Sequence, residues 1–257
     1  MELLTQNLPT GHNYGFRSIR VNPMNFAQVL EYLENVPSTE VEKYYYDYCL
    51  VKGDDKNVDQ LLLPDLEYVI FYKKGLTISD KVVFNSTIIC NECGSGVPAK
   101  FDILEVKFAK LDEQVREGIR VQIAGAYHDI RIPTVEQFFT IFDKYRRYKK
   151  LSDMKLIKLI CLFVGTHTHM HNAYENLVIN AKYEDITMLT MLHQLCYEVV
   201  EPIKVYCPIC NSKRDADQKR GMAVEMKSLT ANFFREIIDN NRLTDSKIIF
   251  REVLQQS

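Results

Sequence analysis

Two widely separated cysteine pairs restrict what this chain can fold into more than any other feature. Cys90-Asn91-Glu92-Cys93 is followed by Gly94, and Cys207-Pro208-Ile209-Cys210 by Asn211. Each pair is entered from a β-like run, Val82 to Ile89 and Ile203 to Tyr206, and left through a residue that tolerates a left-handed turn. Two thiolates on a tight turn, with backbone N–H groups free to face the sulfurs, make a zinc knuckle. Two knuckles supply the four sulfurs of a closed tetrahedral site. Such a site has no open coordination position, so it fastens structure and does not catalyse. The expectation is one structural Zn2+ per chain, held by Cys90, Cys93, Cys207 and Cys210.

Compact zinc ribbons separate their pairs by about 15–20 residues. Here residues 94 to 206 intervene, so the ends of a helical insertion must return to one place. Three other fates are open to these cysteines: separate sites completed by histidines, reduced thiols that bind nothing, or redox chemistry. A thioredoxin-type Cys-x-x-Cys opens a helix in a βαβ unit. Cys93 runs instead into Gly94-Ser95-Gly96-Val97-Pro98 and a further strand, which argues against redox catalysis.

The totals exclude several classes. A chain of 257 residues, 46% hydrophobic and 26% charged, is globular and long enough to bury a sizeable core. A net charge of −2 does not support a protein that lives on bulk phosphate attraction, so general nucleic-acid binding is not expected. No window reaches the roughly 20 apolar residues of a membrane span. The longest apolar stretch, Leu156 to Val164, is interrupted by Lys158. The N-terminal Met-Glu-Leu-Leu-Thr-Gln-Asn lacks the basic and apolar regions of a signal peptide. Seven cysteines, an odd number, fit a reducing compartment better than a disulfide framework, so synthesis in the cytosol is expected.

Periodicity divides the chain into four segments of an α+β fold, expected to form one compact unit. Residues 1–76 hold an extended entry and helices. The entry turns at Leu8-Pro9-Thr10-Gly11 and forms a short strand from Tyr14 to Val21. Phe26, Val29, Leu30 and Leu33 then fall on one helical face. Thr39 and Glu42 make a capping box for a second helix with Val41, Tyr44, Tyr45 and Tyr48 on one side. Pro64 and Asp65 open a third helix, Leu66 to Lys74, which Gly75 ends. Residues 77–132 carry the first knuckle among four short strands, Lys81 to Cys90, Phe101 to Phe108, Arg120 to Ile123 and His128 to Ile132, read as one antiparallel sheet. Residues 133–200 are the helical insertion, opened by Thr134 with Gln137 and faced by Phe138, Phe139 and Phe142. Its later helices run from Ser152-Asp153 to Phe163 and from Ile186 to Val199. Residues 201–257 hold the second knuckle, a return strand from Gly221 to Met226, and C-terminal helices.

Several other groups invite a functional reading. His167, His169 and His171 alternate and would share one side of a strand, but they follow Gly165 at a helix end, where a solvated loop is the simpler account. Glu31 with Glu34, and Asp112 with Glu113, read as solvated faces. No Gly-x-Gly-x-x-Gly, phosphate loop, His-Glu-x-x-His or Gly-x-Ser-x-Gly occurs, so no enzyme and no small-molecule substrate are expected. Cys161 and Cys196 lie on apolar helical faces and read as core, as does Cys49 on its tyrosine-rich helix. Tyr44, Tyr45, Tyr46 and Tyr48 cover more than one helix face, so at least one ring is expected to be exposed, which suits a protein contact, with ordinary packing as the alternative. Lys144, Arg146, Arg147, Lys149 and Lys150 form a basic helix end, suited to an acidic partner or simply to the helix C-terminus. A zinc-ribbon nucleic-acid or transcription accessory protein is the alternative this patch keeps open.

The order of several short motifs resembles the T-even-type bacteriophage baseplate hub family. These are Leu8-Pro9-Thr10-Gly11, Phe16-Arg17, Leu63-Pro64-Asp65-Leu66-Glu67-Tyr68, the Cys90–Cys93 knuckle with Gly94, Phe101-Asp102-Ile103-Leu104-Glu105-Val106, and Ile123-Ala124-Gly125 leading to Pro133-Thr134. The resemblance covers roughly residues 8 to 140. The Leu-Pro-Asp segment is shorter than the family pattern, and Arg17 lacks the basic-aromatic run that follows it there. Hub subunit and hub assembly factor therefore both stay open. The resemblance implies a non-enzymatic protein of the central hub of a contractile tail. Its partners would be other phage baseplate hub proteins, and its location the virion tail baseplate and, during assembly, the host cytoplasm.

Overall fold

In the computed structural model of the chain, the described residues are 1–35, 40–78, 83–102, 111, 113–123, 125–149, 154–164, 182–197, 203–211 and 221–224. They form an α+β fold. Its elements run β1 (Glu2–Leu4), β2 (Ser18–Arg20), α1 (Phe26–Asn35), α2 (Glu40–Lys52), α3 (Leu63–Ile78), β3 (Val83–Ile89), β4 (Gly96–Asp102), α4 (Glu113–Glu117), β5 (Ile119–Ile123), β6 (Ala126–Ile130), α5 (Val135–Lys149), α6 (Met154–Val164), α7 (Tyr183–Tyr197), β7 (Ile203–Tyr206) and β8 (Gly221–Val224). The chain folds into two compact units: residues 1–80 with 107–200, and residues 81–106 with 201–257.

The strands depart from the single sheet expected around the first knuckle. Among the described residues each strand pairs with one neighbour only, giving four separate antiparallel pairs. β3 and β4 belong to one unit, β5 and β6 to the other. The reason is local. β5 and β6 are joined by a tight turn with Gly125 at φ 81°, and the hairpin then meets a helix instead of another strand. Arg131 N–H donates to the Leu162 carbonyl of α6 at 3.3 Å, and His128 packs edge-on against Phe163 at 5.4 Å.

In the first unit, periodic apolar faces become the core as the spacing requires. Phe138 and Phe142 of α5, Ile157, Ile160 and Phe163 of α6, and Leu63 and Leu66 of α3 are fully buried. The start of α5 is capped as its sequence indicates. Gln137 N–H donates to Thr134 Oγ1 at 3.3 Å, and Thr134 N–H donates to Gln137 Oε1 at 3.0 Å. Asn25 and Gln28 cap α1 by the same reciprocal exchange, both bonds at 2.9 Å.

α3 does not stop at Gly75 but continues to Ile78. Leu66, Val69, Ile70, Phe71 and Tyr72 are buried around its circumference. Packing on all sides outweighs the roughly 1 kcal/mol that an interior glycine costs a helix.

Burial also captures charges. Lys74 pairs with Asp47 at 2.5 Å and lies over the Tyr32 ring. Lys73 pairs with Asp54 at 2.6 Å and donates to the Asn22 carbonyl at 2.9 Å. Lys158, the residue that interrupts the apolar stretch of α6, is bonded to Glu67 and flanked by the rings of Tyr44 and Tyr197.

Two N-terminal segments, one around Thr10 and one at the start of α3, meet in this unit. The fully buried Asp65 carboxylate accepts from Thr10 N–H at 2.9 Å, from the Thr10 hydroxyl at 2.5 Å and from the Tyr14 hydroxyl at 2.5 Å. The Tyr14 hydroxyl in turn accepts the Leu62 N–H at 2.9 Å. Gly11, next to Thr10, takes a left-handed φ of 60°.

Candidate metal centre

The first knuckle follows from the register of β3 and β4. Ile89 opposite Gly96 is their last pair, so residues 90 to 95 form the turn that carries Cys90 and Cys93. Cys90 N–H donates to the Ser95 carbonyl at 2.9 Å, and Gly94 N–H donates to the Cys90 carbonyl at 2.8 Å. Gly94 lies at φ 70°, a conformation strained for any residue with a Cβ.

The second knuckle is built alike. Tyr206 opposite Gly221 is the last pair of β7 and β8, and Cys207 follows directly. Residues Pro208–Asn211 make one helical turn, which proline's fixed φ suits at the first position. Asn211 N–H donates to the Cys207 carbonyl at 3.1 Å, the same four-residue closure as Gly94 onto Cys90. Asn211 adds a second bond to that carbonyl through Nδ2 at 3.0 Å. At this position the asparagine amide is put to use, where the sequence suggests only tolerance of a turn.

The two knuckles converge. The four Sγ atoms of Cys90, Cys93, Cys207 and Cys210 lie within 4.8 Å of one another. Cys90 to Cys210 and Cys93 to Cys207 are each 3.7 Å apart. A sulfur–sulfur bond is about 2.05 Å, so all four are free thiols, not disulfides. Four sulfurs placed about 2.3 Å from a central ion stand about 3.8 Å apart at the edges of a tetrahedron. The two 3.7 Å contacts match that edge, and with all four sulfurs within 4.8 Å of one another the site is compatible with a metal ion.

Surroundings differ between the sulfurs. Cys90 and Cys207 are buried with Val97, and Val205 packs against them. Cys93 is exposed and Cys210 half-buried. The Ser95 hydroxyl and backbone N–H hydrogen-bond Cys93 and, with the neighbouring Cys210 and Cys207, pull its thiol down, toward the thiolate that a metal requires. Ser95 is thus a supporting residue that sequence reading missed; its only signal was its place two residues after the cysteine.

The other sequence candidates fall elsewhere. Cys161 and Cys196 are buried, and burial pushes both thiols up, Cys196 to about 12. Cys49 corrects its expectation: it is exposed, although its thiol is hydrogen-bonded to Tyr45 of the same helix. The tyrosine cluster resolves as packing. Tyr48 stacks on Phe139 at 3.9 Å, Tyr44 and Tyr45 also contact Phe139, and Tyr46 meets Tyr32 edge-on at 5.5 Å. None of the four rings is left exposed. His167, His169 and His171 lie outside the described residues, as do Asp112 and the side chains of the basic run 144–150. No helix among the described residues is long and apolar enough to cross a membrane. Compared with protein-family models, with curated proteins and with solved structures, the chain matches none.

Proposed function

We propose that this chain is a structural or assembly protein of the central baseplate hub of a contractile-tailed bacteriophage, with one structural zinc ion held by Cys90, Cys93, Cys207 and Cys210. The observation that carries the metal reading is the convergence of four thiols within 4.8 Å of one another, delivered by two knuckles of the same closure. A tetrahedral set of four soft sulfur ligands suits zinc or an iron–sulfur centre, and paired knuckles around one point favour zinc. The shell is complete without water, so the ion would fasten β3–β4 to β7–β8 and leave no position for a substrate.

The hub reading rests on motif order, and one contact supports it. Thr10 of the Leu-Pro-Thr-Gly segment and Asp65 of the Leu-Pro-Asp segment bond to each other although they are far apart in sequence. Two segments that satisfy each other's buried polar groups have a physical reason to occur together. The chain would then act through contacts with other hub proteins, in the baseplate and in the host cytoplasm during assembly.

Elemental analysis of the purified full chain is expected to give about one zinc per chain; iron in its place, or no metal, overturns the metal reading. Gene order tests the hub reading, with tail and baseplate genes expected beside this one. Binding to nucleic acid that weakens steeply with salt at near-physiological strength would favour a zinc-ribbon accessory protein and overturn it.

A further inference from the structure

Within the cluster, whose four sulfurs all lie within 4.8 Å of one another, two contacts join a more exposed thiol to a buried one. Exposed Cys93 lies 3.7 Å from buried Cys207, and half-buried Cys210 lies 3.7 Å from buried Cys90. Each contact crosses from one knuckle to the other. An accessible thiol beside a second, sheltered thiol is the arrangement of a redox sensor, in which the outer sulfur reacts with an oxidant and the inner one resolves it. Cys161 and Cys196 are sheltered from such attack.

We propose that the centre is a redox latch: a hydroperoxide converts it from a metal clip into two cross-knuckle disulfides, Cys93–Cys207 and Cys90–Cys210, and releases the ion. This inference rests on the zinc reading above. The Cys93 thiolate attacks one peroxide oxygen, the O–O bond breaks, and the departing hydroxide takes a proton to become water. The sulfur is left as a sulfenic acid. The Cys207 thiolate then attacks that sulfur; the S–S bond forms, the S–O bond breaks, and the second hydroxide leaves as water on protonation. Each disulfide thus consumes one peroxide, two thiolates and two protons and yields two waters. Cys210 and Cys90 repeat the sequence. Closure shortens each contact from 3.7 Å to about 2.0 Å. With its ligands oxidised the ion leaves, yet β3–β4 and β7–β8 stay joined by covalent bonds in its place.

The test is a titration of the full chain with hydrogen peroxide. Metal content is measured beforehand, released zinc is read with a chromophoric chelator, and linkages are mapped by mass spectrometry of non-reduced peptides. The expected result is one zinc released per two peroxides consumed, peptides joined as Cys93–Cys207 and Cys90–Cys210, and zinc uptake restored by a thiol reductant. Linkage within the knuckles, Cys90–Cys93 and Cys207–Cys210, overturns the latch, as does full zinc retention while Cys49 is oxidised. A chain with zinc at the outset that fails in either way sinks the latch alone. A chain without metal at the outset sinks the zinc reading too.

Discussion

Removal of a single oxygen atom at Tyr14 should unlock the N-terminal segment. Asp65 is 0% exposed and, among the described residues, makes no salt bridge. Its charge is met by Thr10, by Tyr14 and by its place in the first turn of α3, where the helix dipole favours an anion. Tyr14→Phe deletes one charge-assisted hydrogen bond, worth about 1.5–3 kcal/mol, and orphans the buried Leu62 N–H, at about 1–3 kcal/mol. The ring remains stacked on Phe16 at 5.3 Å and edge-on to His12 at 4.7 Å, so no cavity opens. The two effects together predict a loss of about 3–5 kcal/mol, a large share of the 5–15 kcal/mol typical of a domain. Urea unfolding followed by far-ultraviolet circular dichroism measures it, with Tyr127→Phe as control because Tyr127 is 63% exposed. The midpoint should fall at unchanged slope. Exchange of the Leu62 amide should quicken as well. A loss under about 1 kcal/mol, no larger than the control, would refute the assignment of Tyr14 as a two-sided bridge between Asp65 and the backbone.

Other expectations follow from the same buried groups. Burial raises Asp65 from its ordinary 3.8 to about 6, against the opposing bonds from Thr10 and Tyr14. The folded state therefore holds this proton more tightly than the unfolded state, so the contribution is full below about 3.8 and is lost as pH rises through about 6. Stability of the native chain relative to Asp65→Asn should climb as pH falls from 7 to 4, by about 3 kcal/mol at most; a flat difference speaks against it. Asp47→Ala leaves the Lys74 ammonium buried without its partner and should cost about 3–5 kcal/mol. Asp47→Leu combined with Lys74→Met should recover most of that in the same urea assay, and a double variant as weak as the single one would contradict the pairing. Cys207→Ser should abolish zinc binding, which contributes on the order of 10 kcal/mol in structural sites. Full metal content by elemental analysis with an unchanged melting temperature would count against the site.

By itself the sequence determined what is decided within a few residues. Cys-x-x-Cys on a turn places two thiols together whatever the rest of the chain does, so all four clustered cysteines were legible, as was the Thr134–Gln137 cap. The spacing of Phe138, Phe139 and Phe142 likewise announced a helix with an aromatic face, because a period of 3.6 is a local property. Only the tertiary structure decided matters that depend on distant neighbours. It brought sulfurs across residues 94–206 to 3.7 Å, carried α3 through Gly75, and paired β3 with β4 and β5 with β6 as separate two-stranded sheets. It also assigned Tyr44, Tyr45 and Tyr48 of α2 to Phe139, buried Lys158 against Glu67, and left Cys49 in solvent. Each of these turns on how much surface a partner covers, and burial is set by elements far away along the chain.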